Sequence, residues 1–237
     1  MSNKLKDKIS TIMPRKSFKI PTESYFLMFF AIVALVIIHV FKVDFIIADW
    51  IYLPTNSWQY QDSWITNTLM HRIGKYAVIL LYLILLIKFF VRDKSQEDGF
   101  QRYGKIVLLS SLLVGTFVVS SLKHLLQVDC PWDLLQYGGN KPFFQVFQYG
   151  KQYLPSSHCF PSGHASTAFT WFSLYFYSSI YYPKQRLKVL AAILILGFTF
   201  GLGQQFRGAH FISHDIWSML VCLSVNIVIY KLAFRKN

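Results

Sequence analysis

Six long apolar stretches, residues 25–41, 73–91, 106–122, 165–182, 189–206 and 216–233, set the limits on what this chain can become. Each is close to the ~20 residues that a helix needs to cross the hydrocarbon core of a bilayer. Lipid offers no partner to backbone N–H and C=O groups, so a spanning segment must satisfy them within a helix or a closed barrel. The short alternating strands of a barrel are absent from the sequence. The expectation is an all-α polytopic membrane protein with six transmembrane helices in one bundle. A chain that is 54% hydrophobic, 18% aromatic and only 15% charged is too apolar for an ordinary soluble domain.

Charge orients the bundle. Lys and Arg number 16 in the N-terminal tail, the second and fourth loops and the C-terminal tail, against 7 on the opposite side, with Lys88 inside the second span. The positive-inside rule then places both termini in the cytoplasm. The net charge of +13 is accordingly assigned to topology and anionic lipid, with no nucleic-acid partner expected. The organisation is a basic tail over residues 1–24, a membrane domain over 25–233 and a short tail over 234–237. The first apolar stretch starts late and no small-residue cleavage pattern follows it, so the first span is expected to be retained. Outside lie two long loops, 42–72 and 123–164. The first carries Trp50, Tyr52, Trp58, Tyr60 and Trp64, which suit either the headgroup level or core packing.

Three outward segments carry chemistry-bearing residues. Pro161-Ser162-Gly163-His164 opens the fourth span, where a helix N-terminus presents unpaired N–H donors to an anion and a histidine can exchange a proton near neutrality. Lys123 ends the third span, separated by six residues from Cys130-Pro131. Between the fifth and sixth spans stand Arg207, His210, His214 and Asp215. Taken singly, Lys123 and Arg207 are equally well explained as chains that snorkel to headgroups, and the histidines as satisfied interfacial residues.

Together these segments resemble the three motifs of the type 2 phosphatidic acid phosphatase superfamily: Lys-x6-Arg-Pro, Pro-Ser-Gly-His and Ser-Arg-x5-His-x3-Asp. The resemblance runs from about Lys105 onward. It implies a membrane lipid phosphatase working through a phosphohistidine, without metal or other cofactor, on a phosphorylated membrane lipid. Lys123, Ser162, Gly163 and Arg207 would bind the phosphate, His210 would attack phosphorus, and His164 would serve the leaving group and then water. Transfer to a second lipid, or lipid binding without catalysis, are the alternatives. The expected location is a bacterial inner membrane with the site at the periplasmic face.

The sequence departs from the pattern in three places. Cys130 replaces an arginine, Gln204 stands six residues before His210 where an arginine is expected, and His214 occupies the place of the aspartate, with Asp215 one further on. Asp215 or His214 is expected to orient His210, the carboxylate being the better acceptor. Asp133 could pair with Lys123 or Arg207, or remain solvated. Cys130 and Cys159 share the outward loop in an oxidising compartment, which favours a disulfide over two small buried thiols. Trp132, Tyr137, Phe143, Phe144 and Phe147 are expected to shape the substrate pocket.

Overall fold

A computed structural model describes residues 18–91, 98–144 and 157–235. Most of the basic N-terminal tail, together with Arg92, Lys94, Phe147, Lys151 and Lys236, lies outside those residues. Eight α-helices follow one another among the described residues: α1 (Thr22–Val40), α2 (Val43–Tyr52), α3 (Gly74–Val91), α4 (Gly99–Leu126), α5 (Gly163–Phe169), α6 (Phe172–Tyr181), α7 (Arg186–Phe206) and α8 (Ile212–Ala233). A π-helical segment, Trp64–Ile73, runs directly into α3. No β-ladder of named strands occurs among these residues, only an isolated bridge from Leu134 to Lys141.

Five helices are long and apolar enough to cross a membrane: α1, the joined Trp64–Val91, α4 with its extension, α7 and α8. Their outward faces are apolar; Phe29, Phe30, Tyr76, Phe90, Phe117 and Ile195 are among the large exposed hydrophobics. The chain is a helical membrane protein. The apolar segment at 165–182 differs from a single helix, because it divides at Thr170–Trp171 into α5 and α6. Three hydroxyls explain the bend by competing for backbone carbonyls: Ser166 Oγ donates to Gly163 O, Thr167 Oγ1 to His164 O and Thr170 Oγ1 to Thr167 O. The Thr170 carbonyl, at the break, accepts from Asn226 Nδ2 of α8 at 3.4 Å.

This broken element is the core of the bundle. Ala165, Phe169, Phe172, Tyr175 and Phe176 are fully buried, packed among α4, α7 and α8. Burying polar groups there demands partners. Ser111 Oγ of α4 donates to Asn226 Oδ1 at 2.7 Å, Ser173 Oγ to Leu108 O at 2.9 Å, and Tyr230 Oη to Ser173 O at 2.7 Å. These bonds fix the rotation of three helices against one another, which apolar contact in lipid does not do by itself.

A second apolar cluster closes the end that carries the motifs. Ala48 and Ile51 of α2, Trp58, Leu134, Tyr137 and Phe211 pack together there. Tyr137 Oη donates to Asp49 at 2.7 Å, and Asp44 Oδ1 accepts from the Ser213 N–H at 3.0 Å, capping the start of α8 from a different helix. Burial raises the Asp44 carboxyl above its usual range, opposed by the bonds from Ser213. The first-loop aromatics divide accordingly: Trp58 is buried in this cluster, whereas Trp50 and Trp64 are exposed.

Candidate functional site

Each candidate residue sits where an element begins or ends. Lys123 lies in the last turn of α4, which stops at a left-handed Gln127. Ser162 is the N-cap of α5, its hydroxyl accepting from Ala165 N at 3.5 Å, and Gly163 is the first helical residue. The chain reaches that cap through a carbonyl bond from Ser162 N to His214 O, and Ser218 Oγ donates to Ser162 O at 2.9 Å. The second motif is therefore seated on the first turns of α8.

Lys123 and Gly163 meet directly. A Cβ built on Gly163 would lie 3.0 Å from Lys123 Nζ, so only the absence of a side chain lets the ammonium come so close to the α5 N-terminus. The result is a cation beside the N–H groups of a helix N-terminus, a combination that suits an anion. His164 follows at once; its Nε2 is 3.3 Å from His71 O, and its ring stacks on that of His71 at 4.0 Å.

His210 lies in the turn between α7 and α8, buried, with Nδ1 shielded and without a hydrogen-bond partner. Burial holds its pKa well below the usual imidazole value, helped by His214, Lys123 and His164. The last two come from different helices and close enough to act on it electrostatically. The turn depends on Gly208, whose φ is 74° and whose built Cβ would fall 2.4 Å from the Trp58 ring. Gly208 O also accepts from Trp132 N at 2.9 Å, joining this turn to the loop of the first motif.

Arg207 is buried at the end of α7. Its Nε donates to Gln61 O at 2.9 Å and its Nη1 to Gln204 Oε1 at 3.0 Å. Burial lowers its pKa, with Asp62 opposing. Gln204, standing where the motif has arginine, is left with Nε2 buried and unpaired, a donor that an anion's oxygen can satisfy.

No hydrogen bond joins Asp215 to His210 among the described residues. Its Oδ2 accepts from Gln205 Nε2 at 2.7 Å, its Oδ1 has no partner, and a Cβ on Gly201 would fall 2.4 Å from Oδ2. One residue along a helix turns a side chain by about 100°, and that rotation aims Asp215 at α7. His214 keeps the other face: its ring is 5.8 Å from that of His210, and its Nδ1 is 3.0 Å from Cys159 O. Asp133 likewise joins neither Lys123 nor Arg207; it accepts from Cys130 N at 3.1 Å and caps its own turn.

Cys130 and Cys159 form a disulfide with Cα atoms 5.2 Å apart, and Cys222 is free and buried. The bridge ties the first-motif loop to the residues just before Pro161. Cys159 N also donates to Val128 O at 2.7 Å.

A family model described as the PAP2 superfamily matches residues 104–237, more than half of the chain and every motif residue. The chain belongs to the PAP2 superfamily. Neither the curated proteins nor the solved structures give a significant match. Membership implies phosphatase or related phosphoester chemistry. The PAP2 match starts within α4, so α1 to α3 and the first outward loop contribute groups that no motif announces. His71, Gln61 and Asp44 are such groups, each engaged with a motif residue or its neighbour. No spacing rule marks them, since their contacts span 93, 146 and 169 residues of sequence.

Proposed function

We propose that this PAP2 protein is a membrane lipid phosphatase that hydrolyses a lipid phosphate or diphosphate through a phosphohistidine, without metal. The observation that carries this reading is the meeting of Lys123 Nζ with the α5 N-terminus beside His164, with His210 buried in the turn between α7 and α8. Phosphoryl transfer asks for positioning and for positive charge around the non-bridging oxygens. Lys123, the Ser162–Gly163 backbone and Arg207, with the Gln204 amide, supply that charge and those donors. His210 attacks phosphorus through a neutral ring nitrogen, with His214 packed edge-on beside it. His164 protonates the departing oxygen and then activates water to cleave the P–N bond.

The lipid character of the substrate rests on a cleft of about 660 Å³ between α1 and α8. Met28, Ile32, Leu35, Phe143, Phe144 and Leu220 line it, and His214 and Asp44 border it. A hydrocarbon chain lying there would approach the catalytic turn from the membrane. On the charge asymmetry of the loops, the site faces the periplasmic side of a bacterial inner membrane.

The test is phosphate release by purified protein from a panel of phosphorylated lipids with divalent metal chelated, beside His210→Ala and His164→Ala. Turnover that disappears in both variants is expected. Consumption of substrate without free phosphate, but with a newly phosphorylated lipid, would indicate transfer instead. Turnover unaffected by His210→Ala would overturn the assignment.

A further inference from the structure

His71 belongs to no motif and lies outside the residues matched by the PAP2 family model. It is nevertheless in closest register with the histidine that precedes the fourth apolar segment. Its backbone carbonyl lies 3.3 Å from His164 Nε2, and the two imidazole rings are stacked at 4.0 Å with 24° between their planes. A carbonyl oxygen only accepts, so Nε2 must carry the hydrogen in this pair. The neutral ring then has its lone pair on Nδ1 and no choice of tautomer.

The placement of His71 is held from outside the site. It lies in the π-helical segment Trp64–Ile73, a form that recurs at functional positions. Glycines let that segment press against α7: a Cβ on Gly203 would lie 2.9 Å from Met70 Sδ, and one on Gly74 would lie 2.8 Å from the Phe200 ring. The groups that act on His164 are His71, Lys123, Arg207 and, across the site, His210. His71 itself faces Arg207, Lys75 and Arg72. All are cations or imidazoles, so the carbonyl is the acceptor that orients His164.

We propose that His71 is the positioning residue for His164, fixing it as the Nε2–H tautomer so that Nδ1 is the nitrogen that exchanges protons with substrate. This rests on the acid–base role given to His164 above. In the first step Nδ1 takes up the proton that a monoprotonated phosphate group carries into the site and passes it to the lipid oxygen as the P–O bond breaks and His210 gains phosphorus. In the second, Nδ1 takes a proton from the attacking water as the P–N bond breaks, and that proton leaves with the phosphate. The Nε2–H bond to the His71 carbonyl persists through both, and the stacked ring keeps water from that face.

The experiment is nitrogen NMR of the full chain labelled with 15N-histidine in detergent, with the His164 signals assigned by their loss in His164→Ala. An unprotonated Nδ1 and a protonated Nε2 are expected at mildly alkaline pH. In His71→Ala the carbonyl remains but the stacked ring that holds His164 against it is lost, so exchange between tautomers and a shifted pH profile are expected, with kcat lower by roughly tenfold or more and KM little changed. His71→Phe, which keeps the ring and the carbonyl, restores the wild-type tautomer and profile. A protonated Nδ1 in the wild type overturns the proposal, as does a His71→Ala protein with unchanged tautomer and pH profile. The NMR arm needs no turnover, so a failure of the phosphatase assignment is told apart from a failure of this one.

Discussion

An imidazolium has no lone pair with which to attack phosphorus, so the protonation state of His210 governs the reaction proposed for it. Burial, then His214, Lys123 and His164, depress its pKa well below the usual 6.5. A group depressed in this way is neutral in the fold and contributes stability that is full above the unfolded pKa near ~6.5 and is lost as pH falls toward the folded value. Below about pH 6.5 the wild type should therefore lose up to about 1.4 kcal/mol per pH unit more than His210→Gln, as denaturation midpoints against pH would report. The acid limb of kcat/KM should lie well below 6.5; a limb at 6.5 or above would contradict a depressed nucleophile. At Gly163 the constraint is steric. Gly163→Ala places a methyl 3.0 Å from Lys123 Nζ, and the flexible lysine end gives way. Stability should change by less than about 0.5 kcal/mol. Loss of one charge-assisted contact should raise KM about tenfold in steady-state assays, with a smaller change in kcat. A KM equal to wild type would remove Lys123 from the phosphate pocket.

At the scale of elements, the site is assembled at helix ends that no single helix positions. The α8 start is capped by Asp44 from α2, the α5 cap is bonded to His214 and Ser218 of α8, and the loop after α4 is bonded to Gly208. The Cys130–Cys159 disulfide reinforces this arrangement across 29 residues of sequence. Cross-linking a loop of that size restricts the unfolded chain by about 3 to 4 kcal/mol in the chain-entropy account. Cys130→Ser or Cys159→Ser should lower the thermal midpoint by several degrees under non-reducing conditions and make it insensitive to added reductant. Alkylation of both cysteines in the untreated wild type would show instead that the bridge is not formed. The disulfide supplies rigidity where the family motif has an arginine, but no charge. Under the proposed mechanism, the remaining phosphate charge would fall on Lys123, Arg207 and the α5 N-terminus.

For the whole molecule, the question is whether the α5–α6 element crosses the membrane. From Gly163 to Tyr181 it holds 19 residues, roughly 28 Å of helix rise, close to the hydrocarbon thickness. It sits in the middle of the bundle, and Ser166, Thr167, Thr170, Ser173 and Ser179 donate their hydroxyls to protein carbonyls. With it the number of crossings is even, and both termini share one side; without it they do not. Reporter fusions at residue 20 and at the C-terminus should therefore both read cytoplasmic, in keeping with the 16-to-7 asymmetry of basic residues. Opposite readings would remove α5–α6 as a span.

Much of this was legible in the chain. Apolar runs of membrane length require helices because lipid leaves the backbone no other partner, and the spacing of Lys123, Cys130, Ser162, Gly163, His164 and His210 carries the family pattern. Spacing along a chain, however, does not record the direction in which a side chain points. Whether Asp215 or His214 sits beside His210 turns on about 100° of helix rotation, and the packing of α8 on Gly201 and Gln205 decides it. The break at Thr170 is bonded to Asn226, 56 residues away, and the contact of His71 with His164 depends on how Trp64–Ile73 docks against α7. The sequence by itself determined a helical membrane protein of the PAP2 superfamily and which residues carry its motifs, because burial and local spacing are properties of the chain. Only the tertiary structure decided which of those residues meet, because the partners lie on different helices and their facing is set by close packing.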